Sequence, residues 1–466
     1  MPIIIPANSA ISGGFDVTNS LMFDRLDSAY LSRAQGTATG ATKYTLSMWI
    51  KRSDIGAEMN LIGVSSGNTI ELIKFNADNK LYWYNRDAAS NAAENYTSNI
   101  FRDLSSWYHL VFVYDSTQGA AADQRKLYIN GVNQTWASAA AIQSNAVPGL
   151  NLSGATINIG AESSPSNYFD GYMSEVNFID GLALAADSFG EFDDDSGIWK
   201  PIDASGLTFG NNGFYLDFED SSNLGNDATG GTDFSENNIV AADQGTDTCT
   251  NNFCTLTTTI RMAITLNQGL TQVTDTDSAF YGVGSTMGVS SGKWYWEYKL
   301  TRIGNYAQDG VMGGLPGNGY NDIYNTYVGS RTAGVALNTG EGKIYSADSS
   351  TTWFGSANSQ GQIIGVALDL DNNKIYYSAN GTFGNSSNPA TNSNGYALSA
   401  TIIANKPLLP CSSINNCTLD YNFGNGFFGT TAVASSNADA AGYGLMEYAV
   451  PTGYYTLNTK NLNTYG

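Results

Sequence analysis

Apolar and polar positions along this chain follow a recurring phrase, in which a polar turn patch precedes Lys, then Leu or Ile, then Tyr. The phrase is centred on Lys80, Lys126, Lys343 and Lys374. Asp, Asn and Gly in the preceding patch tolerate the left-handed backbone of a tight turn, and Tyr favours a strand. Each copy therefore predicts a β-hairpin. Two copies lie in each half of the chain, which predicts two related β domains.

Two segments of the first half show the patterns of buried strands. Residues 44–50 alternate, which places Leu46, Met48 and Ile50 on one face of the predicted strand. Residues 107–114 are apolar on both faces, which indicates a central strand between two covering layers. Because the chain shows no convincing long helix, these patterns predict an all-β protein.

Composition supports two β domains and restricts the class of partner. A chain of 466 residues exceeds one ordinary core. Only 14% of its residues are charged, against about 25% in typical soluble domains. The formal net charge is −21, so we expect no affinity for nucleic acid or anionic lipid.

The chain shows no targeting or membrane-spanning pattern. Residues 1–6 lack the basic region and the full apolar region of a signal peptide. No apolar run reaches the roughly 18 residues that a spanning helix needs. We therefore expect no membrane insertion and no secretion through this route.

Four phrases of the first half resemble the laminin-G-like, concanavalin A-like sandwich. They are residues 44–50, 107–115, 126–131 and 169–175, and their order and spacing both fit that family. The resemblance covers residues 21–190. It implies an antiparallel sandwich of jelly-roll type.

The second half resembles a SPRY domain, which is a bent β-sandwich of related architecture. The matching phrases are residues 291–300, 365–371, 374–381 and 419–424. This resemblance covers residues 255–430. The expected organisation of the other segments is an N-terminal arm, an ordered connector rich in Asp, Asn and Gly, and a C-terminal extension (1–20, 191–254 and 431–466).

Candidate catalytic groups are few. His109 is the only histidine, which argues against a Ser-His-Asp triad or a multi-His metal site, and we expect it to be a packed core residue. Asp217 and Glu219 alternate, so on one strand they would lie roughly 7 Å apart, near the spacing of glycosidase carboxylates. A polar strand face or a turn also explains this pair. We expect no enzymatic activity.

Two acidic segments are candidate cation sites. Asp193, Asp194 and Asp195 supply the oxygen ligands that Ca²⁺ prefers. Asp369 and Asp371 resemble part of a Ca²⁺ loop, but a hairpin turn explains them as well. The laminin-G-like resemblance also implies Ca²⁺ at a loop rim, although it assigns no ligand residues. We expect no other cofactor.

Aromatic residues in two predicted loops of the second half are candidate ligand contacts. A glycine-rich stretch, residues 313–319, precedes Tyr320, Tyr324 and Tyr327, and a second loop carries Trp353 and Phe354. Sugar rings stack on such aromatic faces, and the SPRY resemblance implies partner binding through loops at one end of the sandwich. Packing at an edge strand or a subunit contact is the alternative.

The four cysteines fall into two close pairs. Cys249 and Cys254 have four residues between them, and Cys411 and Cys417 have five. We expect disulfide bonds, either within or between the pairs. Buried free thiols are the alternative, and the spacing does not suit zinc.

The two resemblances together look like a structural protein of a tailed-bacteriophage virion. We expect a tail fibre or appendage that recognises a host-surface glycan or protein, with residues 1–20 attaching to other virion proteins. Such proteins are usually trimers, so we expect a homo-oligomer in the extracellular particle. The alternatives are a head or tail decoration protein without a receptor, a bacterial surface adhesin and a glycan depolymerase.

Overall fold

The computed structural model describes residues 14–261, 264–314 and 326–466, of which 43% form strands and 7% form helices. The chain divides into two compact units, with the boundary between Asn251 and Asn252. The predicted all-β class is confirmed. In the described part of the chain, no helix has the length and apolar character needed to cross a membrane.

The first unit is built from two eight-stranded sheets and a small two-stranded sheet. Its described strands and its helix are β1 (Ser20–Phe23), β2 (Tyr30–Ala34), β3 (Lys43–Arg52), β4 (Met59–Ser66), β5 (Thr69–Phe75), β6 (Leu81–Arg86), β7 (Ala92–Thr97), β8 (Tyr108–Asp115), α1 (Ala121–Gln124), β9 (Arg125–Ile129), β10 (Val132–Asn133), β11 (Trp136–Ser138), β12 (Thr156–Ile159), β13 (Gly171–Asp180), β14 (Gly190–Phe192), β15 (Trp199–Pro201), β16 (Phe214–Leu216), β17 (Ser235–Asn237) and β18 (Gln244–Gly245).

The order of strands differs from the order along the chain. One large sheet runs β10–β9–β8–β3–β13–β1–β18, with β16 beside β13. The other runs β11–β7–β6–β5–β4–β12–β2–β17. β14 pairs with β15. Three short 3₁₀ helices lie in the connections (Gly149–Asn151, Ala186–Ser188 and Ala241–Asp243).

The central strands of the first sheet are buried on both faces, as their sequences predict. On β3, Leu46, Met48 and Ile50 pack into a core with residues of both large sheets, whereas Trp49 packs into a second core. β8 contributes to the same two cores. Residues 186–215 supply the layer that covers the second core, and its buried members are Ala186, Phe189, Trp199, Ala204, Phe209 and Tyr215.

Most of the segment that we expected to be a connector belongs to the first unit. β16 pairs with β13, β17 with β2, and β18 with β1. Apart from the exposed Phe192, the aromatic residues of 191–251 are buried in the cores of the first unit.

The predicted hairpins are present in both units. The Leu/Ile-Tyr residues of the four phrases lie in β6 and β9 of the first unit and in β25 (Lys343–Ser346) and β28 (Lys374–Ala379) of the second. Each pairs antiparallel with the strand that precedes it. Asn79 and Asn373 have φ of 60° and 53°, which is the left-handed backbone expected of these turns.

The second unit is dominated by one fourteen-stranded sheet. Its described elements, besides β25 and β28, are β19 (Leu256–Arg261), β20 (Thr265–Asn267), β21 (Gln272–Thr274), β22 (Tyr281–Ser285), β23 (Lys293–Gly313), β24 (Gly334–Asn338), β26 (Ser349–Thr352), β27 (Ile363–Asp369), β29 (Thr382–Phe383), β30 (Tyr396–Ala397), α2 (Ala400–Ala404), β31 (Leu408–Asn422), β32 (Phe427–Phe428), β33 (Thr431–Ala432), β34 (Tyr455–Thr456) and α3 (Thr459–Tyr465), with 3₁₀ turns at Val328–Ser330 and Pro389–Thr391.

Two long strands, β23 and β31, connect the parts of this sheet. The first third of β23 pairs with β27 on one side, and its last part pairs with β24. β31 runs beside β23 almost throughout, with register shifts after Leu300 and after Ile303. Since such irregularities bend a strand, the two strands carry the sheet around the core.

The C-terminal extension is folded into the second unit. β34 lies parallel to β23. The Glu297 carboxylate on β23 accepts hydrogen bonds from the backbone N–H groups of Glu447 (2.8 Å) and Tyr448 (2.9 Å). Asp439 Oδ2 accepts from the N–H of Thr456 at 2.8 Å. These carboxylates anchor a segment that has little regular structure of its own.

Asp309 is a buried acid between the long strands. It lies opposite Ser412 of β31, and its Oδ2 accepts a hydrogen bond from the Tyr421 hydroxyl. Its Oδ1 has no partner among the described residues. Burial raises the pKa of Asp309 well above its ordinary value. The folded chain therefore keeps this proton at pH values where the unfolded chain has lost it.

We expect Asp309→Asn to stabilise the second unit increasingly as pH rises. In the unsubstituted protein, the stabilisation from the protonated Asp309 carboxyl is complete below about pH 3.9, the pKa of this group in the unfolded chain. As the pH rises from there toward the raised pKa of the folded chain, this stabilisation is lost by at most about 1.4 kcal/mol per pH unit. Asn cannot ionise, and it still offers an acceptor to Tyr421. Hydrogen exchange of the β23 and β31 amides, compared between protein and variant from about pH 4 to pH 7, measures the difference.

The matched control is Glu341→Gln in the same unit. Glu341 is exposed, and a hydrogen bond from Lys343 lowers the pKa of its carboxyl. This control should show no gain with rising pH. A difference between Asp309→Asn and the protein that stays constant over this range would contradict the raised pKa of Asp309.

Candidate functional site

A polar cavity opens at one rim of the first unit. It has a volume of about 390 Å³, within the range of about 300–1,000 Å³ for small-molecule sites. Its walls are the end of β6 and start of β7 (residues 85–87 and 90–93), Tyr114 of β8, and residues 141–143 and 146–148. We call it the rim cavity. None of the candidate site residues predicted from the sequence lines it.

The turn between β6 and β7 forms one wall of the rim cavity. Both Asp87 carboxylate oxygens accept hydrogen bonds from Asn91, Oδ1 from its backbone N–H (2.9 Å) and Oδ2 from its side-chain amide (2.8 Å). Burial acts to raise the pKa of Asp87, but the hydrogen bonds from Asn91 and Ala89 outweigh it and lower the pKa. Ser90 takes the left-handed backbone, with φ of 68°. The two hydrogen bonds from Asn91 to the Asp87 carboxylate thus close the turn.

The opposite wall is an irregular segment held by hydrogen bonds to its neighbours. The Gln124 amide bonds both the N–H (3.0 Å) and the C=O (3.1 Å) of Ile142. The carbonyl of Ala146 accepts from the hydroxyls of Tyr114 (3.2 Å) and Ser116 (2.9 Å). Because its backbone groups are bonded to fixed elements, this wall is preformed.

Arg125 lies fully buried beside the floor of the rim cavity. Its Nη1 donates to Asn85 Oδ1 (2.9 Å), to Trp83 O (3.0 Å) and to Ala93 O, and its Nη2 donates to Asn95 Oδ1 and Ala140 O. Burial lowers the pKa of Arg125 to about 10, so the guanidinium is still a cation at neutral pH.

The sequence contains a signal for Arg125 that the sequence analysis missed. Side chains two residues apart on a strand point to the same face. Leu127 lies two residues after Arg125 and is fully buried. Arg125 is therefore predicted on the core side of β9, where a guanidinium must find several acceptors.

The described residues include only some of the aromatic residues that we predicted as ligand contacts in the second unit. Tyr320 and Tyr324 lie outside them. Tyr327 is half-buried, its hydroxyl donates to Asp348 Oδ1 at 2.9 Å, and its ring lies 5.3 Å from that of Phe280. Phe280 also packs edge-on against Tyr306, at 5.0 Å. Phe280 and Tyr306 were not among the sequence candidates.

The prediction that Trp353 contacts a ligand is wrong for this structure. Trp353 is only 3% exposed, and its Nε1–H donates to the carbonyl of Tyr377 at 2.8 Å. Phe354 is half-buried against the same core. Burial in the sandwich removes Trp353 from the candidate surface, whereas Phe354 stays partly exposed.

The acidic candidates do not form metal sites. Asp193 Oδ1 accepts from the N–H groups of Asp195 and Ser196, and Oδ2 pairs with Lys200, while Asp194 and Asp195 are exposed. Asp193 is therefore a turn cap. Within the described ranges, no cluster of three or more His, Cys, Asp or Glu residues is placed to hold a metal ion.

The two remaining acidic pairs also belong to turns. Asp217 Oδ1 accepts from the N–H of Glu219, and Phe218 between them has a φ of 59°, so the pair does not alternate on a strand as predicted. Asp369 Oδ1 accepts from the N–H of Asn372, and Asp371 Oδ1 accepts from the N–H of Gly292. The hairpin interpretation of Asp369 and Asp371 is the one that the structure supports.

His109 is fully buried and bonded through both ring nitrogens. Trp199 Nε1–H donates to Nδ1 at 2.9 Å, so the proton is on Nε2, which donates to Ser47 Oγ at 2.8 Å. Burial lowers the pKa of His109 to about 3. A neutral imidazole whose Nε2 already donates to the serine cannot take that hydroxyl's proton. Its expected role as a core residue is confirmed.

The predicted disulfides are absent, because all four cysteines are free, buried thiols. Cys411 and Cys417 both lie on β31, six residue steps apart, which corresponds to about 20 Å along a strand and is well beyond disulfide reach. Cys249 packs in a core of the first unit and Cys254 in the core of the second. Burial raises the pKa of each thiol.

Two family models match the chain. Residues 26–187 match the concanavalin A-like lectin/glucanases superfamily, and residues 293–426 match the SPRY domain. Both matches lie within the segments that carried the sequence resemblances, in the predicted order. No curated protein matches the chain.

Three solved structures are similar to parts of the chain at low identity and low TM-score. The SPRY domain of human HERC1 is 16% identical (TM-score 0.28, 36% of this chain and 96% of that chain). A native heptameric SAP-like pentraxin from Limulus polyphemus is 15% identical (TM-score 0.28, 37% and 80%). A putative carbohydrate binding protein from Bacteroides ovatus is 18% identical (TM-score 0.35, 48% and 60%).

We expect Arg125→Leu to destabilise the first unit by at least about 3 kcal/mol. The substitution removes the Arg125 donor from five oxygens, of which Asn95 Oδ1 still accepts from the N–H of Ala140 and Ala140 O is only partly buried, and each buried group left unsatisfied costs about 1–3 kcal/mol. Hydrogen exchange of the β6 and β9 amides measures the loss. Lys126→Leu is the control, since Lys126 pairs only with the exposed Asp123, and its cost should stay near 0.5 kcal/mol. Equal losses for both variants would contradict this role of Arg125.

We expect no thiol of the native protein to react rapidly with a thiol reagent, and four to react after denaturation. The cause is burial, which shields each sulfur and disfavours the thiolate. Titration with a chromogenic disulfide reagent, with and without denaturant, gives the two counts. Fewer than four thiols in the denatured, unreduced protein would indicate a disulfide and contradict the structure.

Proposed function

We propose that this chain, in which a concanavalin A-like domain precedes a SPRY domain, is a non-enzymatic binding protein that recognises a saccharide at the rim cavity. The observation that carries the proposal is a preformed cavity lined by amide, hydroxyl and charged side chains beside apolar residues 147–148. Such linings bind the hydroxyl groups of a sugar while an apolar surface covers its C–H face. The superfamily that matches the first unit includes lectins by its own description.

The surroundings of the candidate catalytic residues support the proposal that the chain is not an enzyme. His109 is buried and committed to Ser47 and Trp199. Asp217 and Glu219 share a turn in which Asp217 accepts from the N–H of Glu219, rather than facing each other across a cleft. Neither arrangement provides the acid and base that glycoside hydrolysis uses.

For the biological setting, we propose a tail fibre or appendage of a tailed-bacteriophage virion that contacts the host surface. An acidic, Lys-poor surface and two tandem sandwiches suit an extracellular particle. In this proposal residues 1–20 attach the protein to other virion proteins, and the chain forms a homotrimer. Locating the protein in an electron-microscopy map of its particle, with and without residues 1–13, tests both the setting and the attachment and leaves intact Val17, which packs in a core of the first unit, and Ser20 of β1.

Glycan-array binding by the full chain tests saccharide recognition. We expect Ala141→Trp to abolish binding, because Ala141 lines the rim cavity and an indole would fill it. Ala139→Trp is the matched control, since Ala139 is also exposed but does not line the cavity. Binding that survives Ala141→Trp would exclude the rim cavity, and release of sugar from a bound glycan would contradict a non-enzymatic role.

A further inference from the structure

Beside the rim cavity, strands β6 and β7 turn half of their side chains away from the core. Side chains alternate between the two faces of a strand, and Trp83 and Asn85 of β6 are the buried ones. The residues between them, and the matching residues of β7, therefore point to the other side of the sheet. We call this side the outer face, and its members are Tyr82, Tyr84, Arg86, Ala92, Glu94 and Tyr96.

The outer face begins at the edge of the rim cavity. Arg86 and Ala92 lie opposite each other in the pairing of β6 with β7, and both line the cavity. The next pair on the same face is Tyr84 and Glu94, two residues farther along each strand, or about 7 Å. β11 pairs with only the last two residues of β7, so in the described part of the chain β7 is the sheet edge beside Glu94. A ligand that extends out of the cavity thus reaches Tyr84 without crossing another strand.

Tyr84 carries the uncommitted ring of the outer face. It is half-buried, and it has no aromatic or hydrogen-bond partner among the described residues. Tyr82 and Tyr96, in contrast, stack on each other with ring centres 5.2 Å apart. Leu72 lies opposite Tyr84 on β5 and is only 8% exposed, so the surroundings of the ring are apolar on that side. An aromatic ring of this kind offers an apolar surface to the C–H face of a sugar and a hydroxyl to its polar groups.

A free acceptor and a free donor flank Tyr84 on the outer face. Glu94, directly opposite it, is exposed and forms no hydrogen bond or ion pair within the described ranges. Arg86 donates from Nε to the carbonyl of Asn68 at 2.7 Å, and its terminal nitrogens have no partner there. Because Glu94 accepts and Arg86 donates, the two suit a neutral ligand whose groups do both, as sugar hydroxyls do. A single free ring between charges is too small for a protein partner, since a stable protein interface buries about 800 Å² on each side.

We propose that the chain recognises a linear, neutral oligosaccharide, whose end occupies the rim cavity and whose following sugars lie on the outer face. There, one sugar stacks on Tyr84, and its hydroxyls bond Glu94 and Arg86. The contacts on this exposed face are weak by themselves, but a sugar tethered through the cavity meets them at a high effective concentration. This inference rests on the proposed function, because it names the class of glycan that the same cavity takes.

The experiment titrates the full chain with oligomers of one to six units of glucose, mannose, galactose and N-acetylglucosamine. For the sugar that binds, we expect the affinity to rise at least tenfold from one unit to four. Tyr84→Ala should lower the affinity for four units at least fivefold and leave the affinity for one unit unchanged, because only the longer glycan reaches the ring. Tyr84→Phe keeps the ring and should retain most of the gain.

Two further variants separate loss of contact from loss of folding. Tyr30→Ala is the matched control, because Tyr30 is also a half-buried tyrosine of this sheet but lies on β2, distant from β6 in the order β6–β5–β4–β12–β2. It should leave the affinity for four units unchanged. Glu94→Ala alters an exposed side chain without a partner, so the fold should be retained, and the affinity for four units should fall at least threefold.

The outcomes separate this inference from the proposed function. Equal affinity for one unit and for four, abolished by Ala141→Trp, would overturn the extended glycan and leave recognition at the rim cavity standing. A gain with length that Tyr84→Ala and Glu94→Ala both leave intact would overturn the assignment to the outer face. Binding of four units that survives Ala141→Trp but is lost in Tyr84→Ala would overturn the rim cavity as the site. Binding of none of the oligomers would overturn both proposals.

Discussion

A polar group that leaves water must find a partner inside the protein, and this constraint organises both units. In the first, the Arg125 guanidinium donates to backbone carbonyls of two strands, β6 and β7, and of one loop residue, Ala140, so β6, β7 and the segment before β12 are fixed relative to β9. In the second, Glu297 and Asp439 gather the backbone of the C-terminal segment. The same requirement accounts for the Trp199–His109–Ser47 chain beneath the covering layer.

The parts of the fold that sequence predicts are those in which neighbouring residues carry the information. Period-two alternation identifies β3, and apolar residues on both faces identify β8 as a central strand. Turn residues before Lys374 identify the β27–β28 hairpin. Where the outcome depends on distant residues, the same reasoning fails: nothing local to Trp199 shows that it covers His109, and nothing local to Trp353 shows that Tyr377 buries it.

The candidate site also has one part that local sequence predicts and another that depends on distant residues. Asp87 and Asn91 form a turn pair that can be recognised in the sequence. The position of residues 141–148 on the opposite wall follows only from the folded structure. The acid-rich segments were candidate metal or catalytic sites because their carboxylates suit both roles. In the structure, Asp193 and Asp217 each accept a hydrogen bond from a backbone N–H group two residues away. Short-range capping and metal binding use the same residue types at the same spacing, so composition alone does not separate them.

The turn at the cavity rim is held at its two ends, by Asp87 and Asn91 and by the paired strands β6 and β7, while the residues between them are exposed. Ala88 and Ala89 form the exposed tip of this turn and do not line the cavity, so their side chains can be replaced without disturbing the bonds that shape the turn. The tip is therefore a suitable place to attach a spectroscopic label close to the cavity, because a label there lies beside Asp87 and Ser90 without replacing a lining residue.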